Sequence, residues 1–283
     1  MNTSSPLVSV LMTSYNSEKY IEEAIESVYF STYKNFELII VDDCSKDNSV
    51  SIAKHWELKD SRIKVFVNSK NIGDYPNRNL AASYAKGKYI KYVDCDDKIS
   101  TTCLEIMVIE MENHPDVMLG LCASNNDAIL LLNSKQSYTD KNGILEFFGP
   151  TGSIMNLQYY FDIGKFKELV TVSDWDMWHR IAAKSPILTF PTNLVIWRDH
   201  PENTLKSNSH KIGVIKNYLK TKETIFKSND CPISYQESRD KLKKYLIVIF
   251  RYSFKESFIQ RDIRYIILFF RYNFKFIIFR LYK

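Results

Sequence analysis

Glycine and proline are scarce in this chain, eight of each in 283 residues. That excludes collagen-like and linker-like sequences. Cysteine is sparse too: Cys44, Cys95, Cys103, Cys122 and Cys231 are odd in number, widely spaced and form no CxxC pair. They suggest neither a disulfide framework nor a zinc knuckle, and reduced thiols in a cytosolic protein are expected. No uninterrupted apolar run reaches the roughly 18 residues needed to span a bilayer. The early run Leu7–Met12 is too short for a signal peptide. What is present is apolar surface in quantity: 45% hydrophobic residues, 14% aromatic, and 25% charged. Such a chain can bury a core, which argues against disorder. Its length suits one large domain, or one domain with an appendage. The net charge of +5 hides an asymmetry. Residues 239–283 hold 12 Lys/Arg against 3 Asp/Glu, a net +9, whereas the first 238 hold 26 against 30, a net −4.

The first hundred residues alternate short apolar runs with helix-like segments. Leu7–Met12, Phe36–Val41, Ile63–Val67 and Tyr89–Val93 read as strands. Ile21, Ala24, Ile25, Val28 and Tyr29 form a stripe at helical spacing. Pro76 suits the start of a helix running to Ala85, with Gly87 just beyond it as terminator. Thr102 and Glu105 suggest a capping box for a helix through Asn113. Further on, Ala128–Leu132 reads as a strand, Thr139–Gly152 as loop, and Ser173-Asp174 as a helix start. Strand–helix alternation predicts an α/β fold with a mostly parallel sheet, and function at the carboxyl ends of its strands.

Polar clusters stand at those ends. Thr13-Ser14-Tyr15-Asn16 follows the first strand, Asp42-Asp43-Cys44-Ser45 the second, the 71–79 segment NIGDYPNRN the third, and Asp94-Cys95-Asp96-Asp97 the fourth. Parallel strands would bring all four to one crevice. Taken singly, an acidic pair after a strand is more often a turn or a cap. Three aspartates in four positions, however, do not ionise together without compensation. Hard oxygen ligands suit Mg²⁺ or Mn²⁺, which commonly hold substrate phosphates as well. A crevice with an aromatic ring, carboxylates and such a cation suits a nucleoside diphosphate.

In order and spacing, VSVLMTSYN, FELIIVDDCSKDNS, NIGDYPNRN and GKYIKYVDCDD resemble the family-2 glycosyltransferases of GT-A fold, and the likeness runs on through SDWDMW and WRDH to about residue 205. The resemblance implies that Thr13 and Tyr15 line a base pocket, that Asp42 accepts from the base, and that Arg78 contacts the base or the pyrophosphate. It implies that Asp94 holds the ribose or a metal-bound water, and that Asp96 ligates Mn²⁺ or Mg²⁺. Asp174 matches the general base of the inverting members. His200 falls in a segment like the family's closing loop, within reach of the metal or diphosphate. Cys44 stands where the family usually has glycine, and Ser173 where it usually has glutamate, a change that would supply a helix N-cap. An aspartate at a helix N-terminus is expected to be kept ionised by the helix dipole, and Trp175 and Trp178 beside it suit a sugar face.

The resulting expectation is an inverting, metal-dependent glycosyltransferase. It would use a nucleotide sugar, with a UDP-sugar favoured, and a glycan or lipid-linked glycan acceptor in surface polysaccharide or lipopolysaccharide synthesis. A sugar-phosphate nucleotidyltransferase and a non-catalytic nucleotide-sugar-binding module remain rivals. The expected division is a catalytic domain over 1–238, its nucleotide-sugar half about 1–100 and its acceptor half about 101–238, followed by a basic aromatic helical tail over 239–283. On one helix, Arg261, Arg264, Arg271 and Lys275 form a basic stripe beside Ile and Phe, the pattern of a helix in the headgroup layer. The tail would hold the protein peripherally at the inner face of the cell membrane, from the cytoplasmic side. Nucleic acid is disfavoured by the acidic body, and a homo-oligomer is left open.

Overall fold

The computed structural model describes residues 5–124, 128–140, 144–145, 149–169, 172–200, 212–245 and 247. The alternation read from sequence is present. Strands β1 (Val8–Ser14), β2 (Phe36–Asp42), β3 (Ile63–Val67) and β4 (Tyr89–Tyr92) are joined by helices α1 (Ile21–Tyr29), α2 (Ser49–Lys59) and α3 (Asp74–Tyr84). Then come β5 (Lys98–Ile99), α4 (Cys103–Asn113), β6 (Leu119–Ser124), β7 (Leu130–Leu132) and α5 (Ser134–Thr139). After them lie β8 (Ser153–Asn156), α6 (Leu157–Asp162), α7 (Ser173–Ala182), β9 (Ile187–Pro191), β10 (Val195–Ile196) and α8 (Ile212–Lys227).

Eight strands form one sheet in the order β3-β2-β1-β4-β8-β6-β9-β7. β1 pairs in parallel with both β2 and β4, and β2 with β3. Only β8 and β7 run against the rest. The chain winds outward from β1 to β3 and then returns to lay β4 on the other side of β1. That reversal opens a crevice beyond the carboxyl ends of β1 and β4, where such sheets bind ligands.

Packing follows the apolar patterning. Val8, Val10 and Met12 of β1 and Leu38 and Ile40 of β2 belong to the same buried cluster as Ile21, Ala24, Ile25 and Val28 of α1. Each fully buried branched side chain contributes about 1.5–3 kcal/mol. Two local expectations need correction. Gly87 does not end α3, which stops at Tyr84. A Cβ on Gly87 would lie 2.6 Å from the Leu7 carbonyl and the Ser9 amide, so the glycine is there to let two backbones meet. Thr102 precedes α4 in αR conformation and caps nothing. Glu105 instead accepts from the Thr32 hydroxyl at 2.7 Å, tying α4 to the segment before β2.

The described chain divides into two compact units, residues 1–168 with 173–198, and residues 169–172 with 199–283. Within the second, α8 meets a helical stretch at 235–245 through Tyr218, Phe226 and Tyr245. Their rings surround the buried ammonium of Lys222, which lies 4.9 Å from the Tyr245 centroid. No described helix is long and apolar enough to cross a membrane. The basic stripe expected at 261–275 lies outside the described residues.

Candidate active site at the sheet switch point

The three loops at the crevice are stitched to one another before any ligand is considered. Asn16, at φ +51°, donates its amide to Ser45 Oγ and accepts from the Lys46 amide, both at 2.8 Å. Asp43 is buried and accepts from the amides of Ile72 and Gly73 at 2.8 Å, and also from Asn68. It thereby fixes the loop ahead of α3. Gly73, at φ +93°, supplies a left-handed turn there at no steric cost. Cys44 takes the same turn region at φ +67°, so the glycine conformation is kept without the glycine. Asp42, the last residue of β2, accepts from the Ser45 amide at 2.8 Å and the Ser45 hydroxyl at 2.6 Å. Each of its oxygens retains a second lone pair.

Around this frame stand the predicted residues. Thr13 is half-buried at the end of β1, and Tyr15 is 52% exposed just beyond it. Arg78, on α3, is buried, with its guanidinium divided between two carboxylates. Nε donates to Asp74 at 2.7 Å and Nη1 to Asp94 at 2.5 Å. In this state the arginine holds the acidic loop.

The carboxylate oxygens of Asp94, Asp96 and Asp97 lie within 4.8 Å of one another. The Asp97 carboxyl is pushed up to about 7, first by burial and then by the like charges of Asp94 and Asp96. Two neighbours that sequence reasoning gave no role hold this loop. The Thr151 hydroxyl accepts from the Asp94 amide at 3.0 Å and lies near enough to Asp97 to oppose the rise of its pKa. The Arg198 amide donates to Asp97 at 3.0 Å, and its guanidinium to the Asp96 carbonyl at 3.0 Å and to Glu23 at 3.0 Å. Lys91, fully buried inside β4, donates to the Thr151 carbonyl. Neither Thr151 nor Lys91 carried any signal in the sequence, because each bonds across the sheet to residues far away in the chain.

Asp174 lies in the first turn of α7 and is 8% exposed. Its Oδ1 accepts from the Trp175 amide at 2.9 Å and from the Tyr75 hydroxyl of α3 at 3.2 Å. The dipole expectation needs correction. Burial dominates and pushes the Asp174 carboxyl up to about 6, against the pull of those donors and of Arg78. The Ser173 hydroxyl donates to the Lys167 carbonyl, tying the start of α7 to the segment before it. Trp178 is wholly buried and packs edge-on against Phe166, so it is core, whereas Trp175 is half-buried. One helix thus meets both groups: α3 offers Tyr75 to Asp174 and Arg78 to Asp94. His200 is buried within the second compact unit, outside the one that carries the other predicted residues.

The family profile described as "Glycosyl transferase family 2" matches residues 9–173, which takes in Thr13, Tyr15, Asp42, Arg78, Asp94, Asp96 and Asp97 but not Asp174, Arg198 or His200. The chain belongs to glycosyl transferase family 2. An uncharacterised glycosyltransferase of Methanocaldococcus jannaschii is 38% identical over 171 residues, covering 59% of this chain and 53% of that one. An Escherichia coli family relative is named as a UDP-Glc:α-D-GlcNAc-diphosphoundecaprenol β-1,3-glucosyltransferase. It is 41% identical over 115 residues, covering 40% of this chain and 45% of its own. The chain therefore matches about half the length of these relatives. The Staphylococcus aureus TarS fragment 1–349, solved with UDP-GlcNAc, superposes with a TM-score of 0.72 at 20% identity, over 89% of this chain and 74% of that one. That likeness establishes the GT-A fold.

Proposed function

We propose that this family-2 glycosyltransferase moves a sugar from a UDP-sugar to a hydroxyl of a glycan or lipid-linked glycan, with inversion at the anomeric carbon. The observation that carries the reading is the pairing of two different acidic sites across α3. One is a clustered, self-repelling trio at the crevice, and the other is a lone buried carboxylate with a raised pKa. Displacement at a sugar C1 needs charge neutralised on the leaving diphosphate and a base on the opposite face. The UDP-sugar and a lipid-linked glycan acceptor are favoured by the E. coli relative's name, and we place the reaction in surface polysaccharide or lipopolysaccharide synthesis.

In this reading Thr13 and the exposed ring of Tyr15 receive the base, and Asp42 uses its free lone pairs to accept from it. Asp96, with Asp94 and Asp97, would hold Mn²⁺ or Mg²⁺. Three hard oxygens so close together, one of them on a carboxyl whose ionisation is opposed by its neighbours' charges, fit such a cation. Bound there, it would supply Lewis-acid neutralisation of the two phosphates. Arg78 orients Asp94, and on swinging away from Asp74 it can also meet phosphate. Asp174 takes the proton from the incoming hydroxyl. By the family resemblance alone, His200 would serve the metal or the diphosphate. The basic residues of 239–283 bring the protein to the inner leaflet, where a lipid-linked acceptor resides, with about 1 kcal/mol from each near an anionic surface.

The test is a panel of nucleotide sugars assayed for release of nucleoside diphosphate, with and without EDTA. Mn²⁺-dependent UDP release, and a product of opposite anomeric configuration by NMR, are expected. Undiminished release in EDTA would refute the cation, and retained configuration would refute direct displacement. Release of pyrophosphate from a nucleoside triphosphate and a sugar 1-phosphate, supplied in place of the nucleotide sugar, would instead indicate a nucleotidyltransferase. For the tail, charge reversal of Arg261, Arg264, Arg271 and Lys275 to Glu should abolish cosedimentation with anionic vesicles. Unchanged sedimentation would remove the membrane role.

A further inference from the structure

The two donors to Asp174 share one oxygen. The Tyr75 hydroxyl and the Trp175 amide both reach Oδ1. Among the described residues no hydrogen bond reaches Oδ2, and Asp174 is the sole partner of the Tyr75 hydroxyl. Tyr75 itself is fixed: it is 8% exposed, sits in the first turn of α3, and packs its ring against Phe166 at 5.4 Å. Its hydroxyl keeps its proton, because burial and the carboxylates of Asp174 and Asp74 push it well above its ordinary value. It therefore remains a donor to the ionised Asp174 carboxylate.

We propose that Tyr75 is a positioning residue for Asp174: with the Trp175 amide it occupies Oδ1, fixes the carboxylate plane, and leaves Oδ2 as the oxygen that accepts the acceptor's proton. This rests on Asp174 being the base. Proton abstraction needs the basic oxygen within about 2.6–3.2 Å of the hydroxyl. A buried carboxylate free to rotate about χ2 would spend much of its time misaligned. The charged and titratable groups facing Asp174 are Tyr75, Arg78 and Asp74 of α3. Arg78 and the two donors favour the carboxylate, and Asp74 opposes it. Removing the hydroxyl takes away one donor and leaves the burial unchanged, so Asp174 becomes harder to ionise.

The decisive variant is Tyr75→Phe, which keeps the ring and its packing on Phe166. Two measurements distinguish positioning from mere structural support. The first needs no substrate: the pH dependence of unfolding free energy, with and without Asp174→Asn, reports the Asp174 pKa. Tyr75→Phe should raise that value by about half to one pH unit. The second is UDP release from the UDP-sugar turned over best in the panel. There kcat should fall roughly 3–30-fold, the acid limb of its pH profile should move upward, and the donor KM should stay within about twofold. A Tyr75→Phe protein with unchanged Asp174 pKa and unchanged kcat would overturn the inference. An Asp174→Asn protein with undiminished rate would instead overturn the base reading, and the inference with it, so the two failures are told apart.

Discussion

Asp97 and Asp174 are both buried and both resist ionisation, yet for different reasons. Asp97 is held up to about 7 by burial compounded with the charges of Asp94 and Asp96. Asp174 is held up to about 6 by burial while its close partners all donate to it. A divalent cation would cancel the first cause and leave the second untouched. The difference separates two uses of a carboxylate. One group is completed by a positive ligand, and the other is a weakly solvated base whose proton affinity lies near working pH.

The sharpest way to break this contrast is Asp174→Asn. It preserves size and the Trp175 contact, so transfer should fall roughly 10²–10⁴-fold while donor affinity stays within a few-fold. In the wild type, rate should rise with pH through about 6 as Asp174 loses its proton. A flat profile from pH 5 to 7.5 would place the base elsewhere. Next in size is stability. The folded Asp174 value of about 6 exceeds its ordinary 3.8, so folded protein binds the proton more tightly than unfolded chain does. The stability this confers is complete below about pH 4 and is lost as pH rises through 6. Asp174→Asn should therefore be more stable than wild type by up to about 3 kcal/mol at pH 8, and equal to it near pH 4. Equal denaturation midpoints at both pH values would refute the buried, raised carboxylate.

The cation side is tested by thermal melting. At about a hundredfold excess over its Kd, Mn²⁺ should add about 2.7 kcal/mol, a rise of several degrees. Asp96→Ala and Asp97→Asn should lose most of that rise, while Asp174→Asn keeps it. Equal shifts in all four proteins would erase the distinction between the two sites. The smallest effect concerns the strained turn: Cys44→Gly should stabilise by about 0.5–1 kcal/mol in urea unfolding, by relieving a left-handed conformation. Destabilisation would mean that the thiol's contacts with Ser69 and Lys46 outweigh the strain.

The sheet and the convergence of its loops were legible because they depend on local alternation and on the direction of parallel strands. Motif spacing singled out Asp94, Asp96 and Asp174, and the structure gathers the first two with Asp97 while Asp174 takes its partner from α3. Tyr75 was not singled out, since nothing near it in sequence announces a carboxylate 99 positions away. Asp97 was visible as one of three acids, but its closeness to both Asp94 and Asp96 is decided by the turn that carries them. Gly87 and Thr102 were misread for a related reason. Propensity assigned them helix-end roles, and contacts with distant backbone or side chains took precedence.

Thr151 gives the fold a fixed point of return. Between β6 and residue 151 the chain adds β7 to the sheet edge and turns through α5, and at residue 151 the hydroxyl is bonded to the Asp94 amide, with Lys91 gripping the carbonyl of the same residue. Whatever length or composition the stretch from 125 to 149 takes, its far end is moored to the acidic loop.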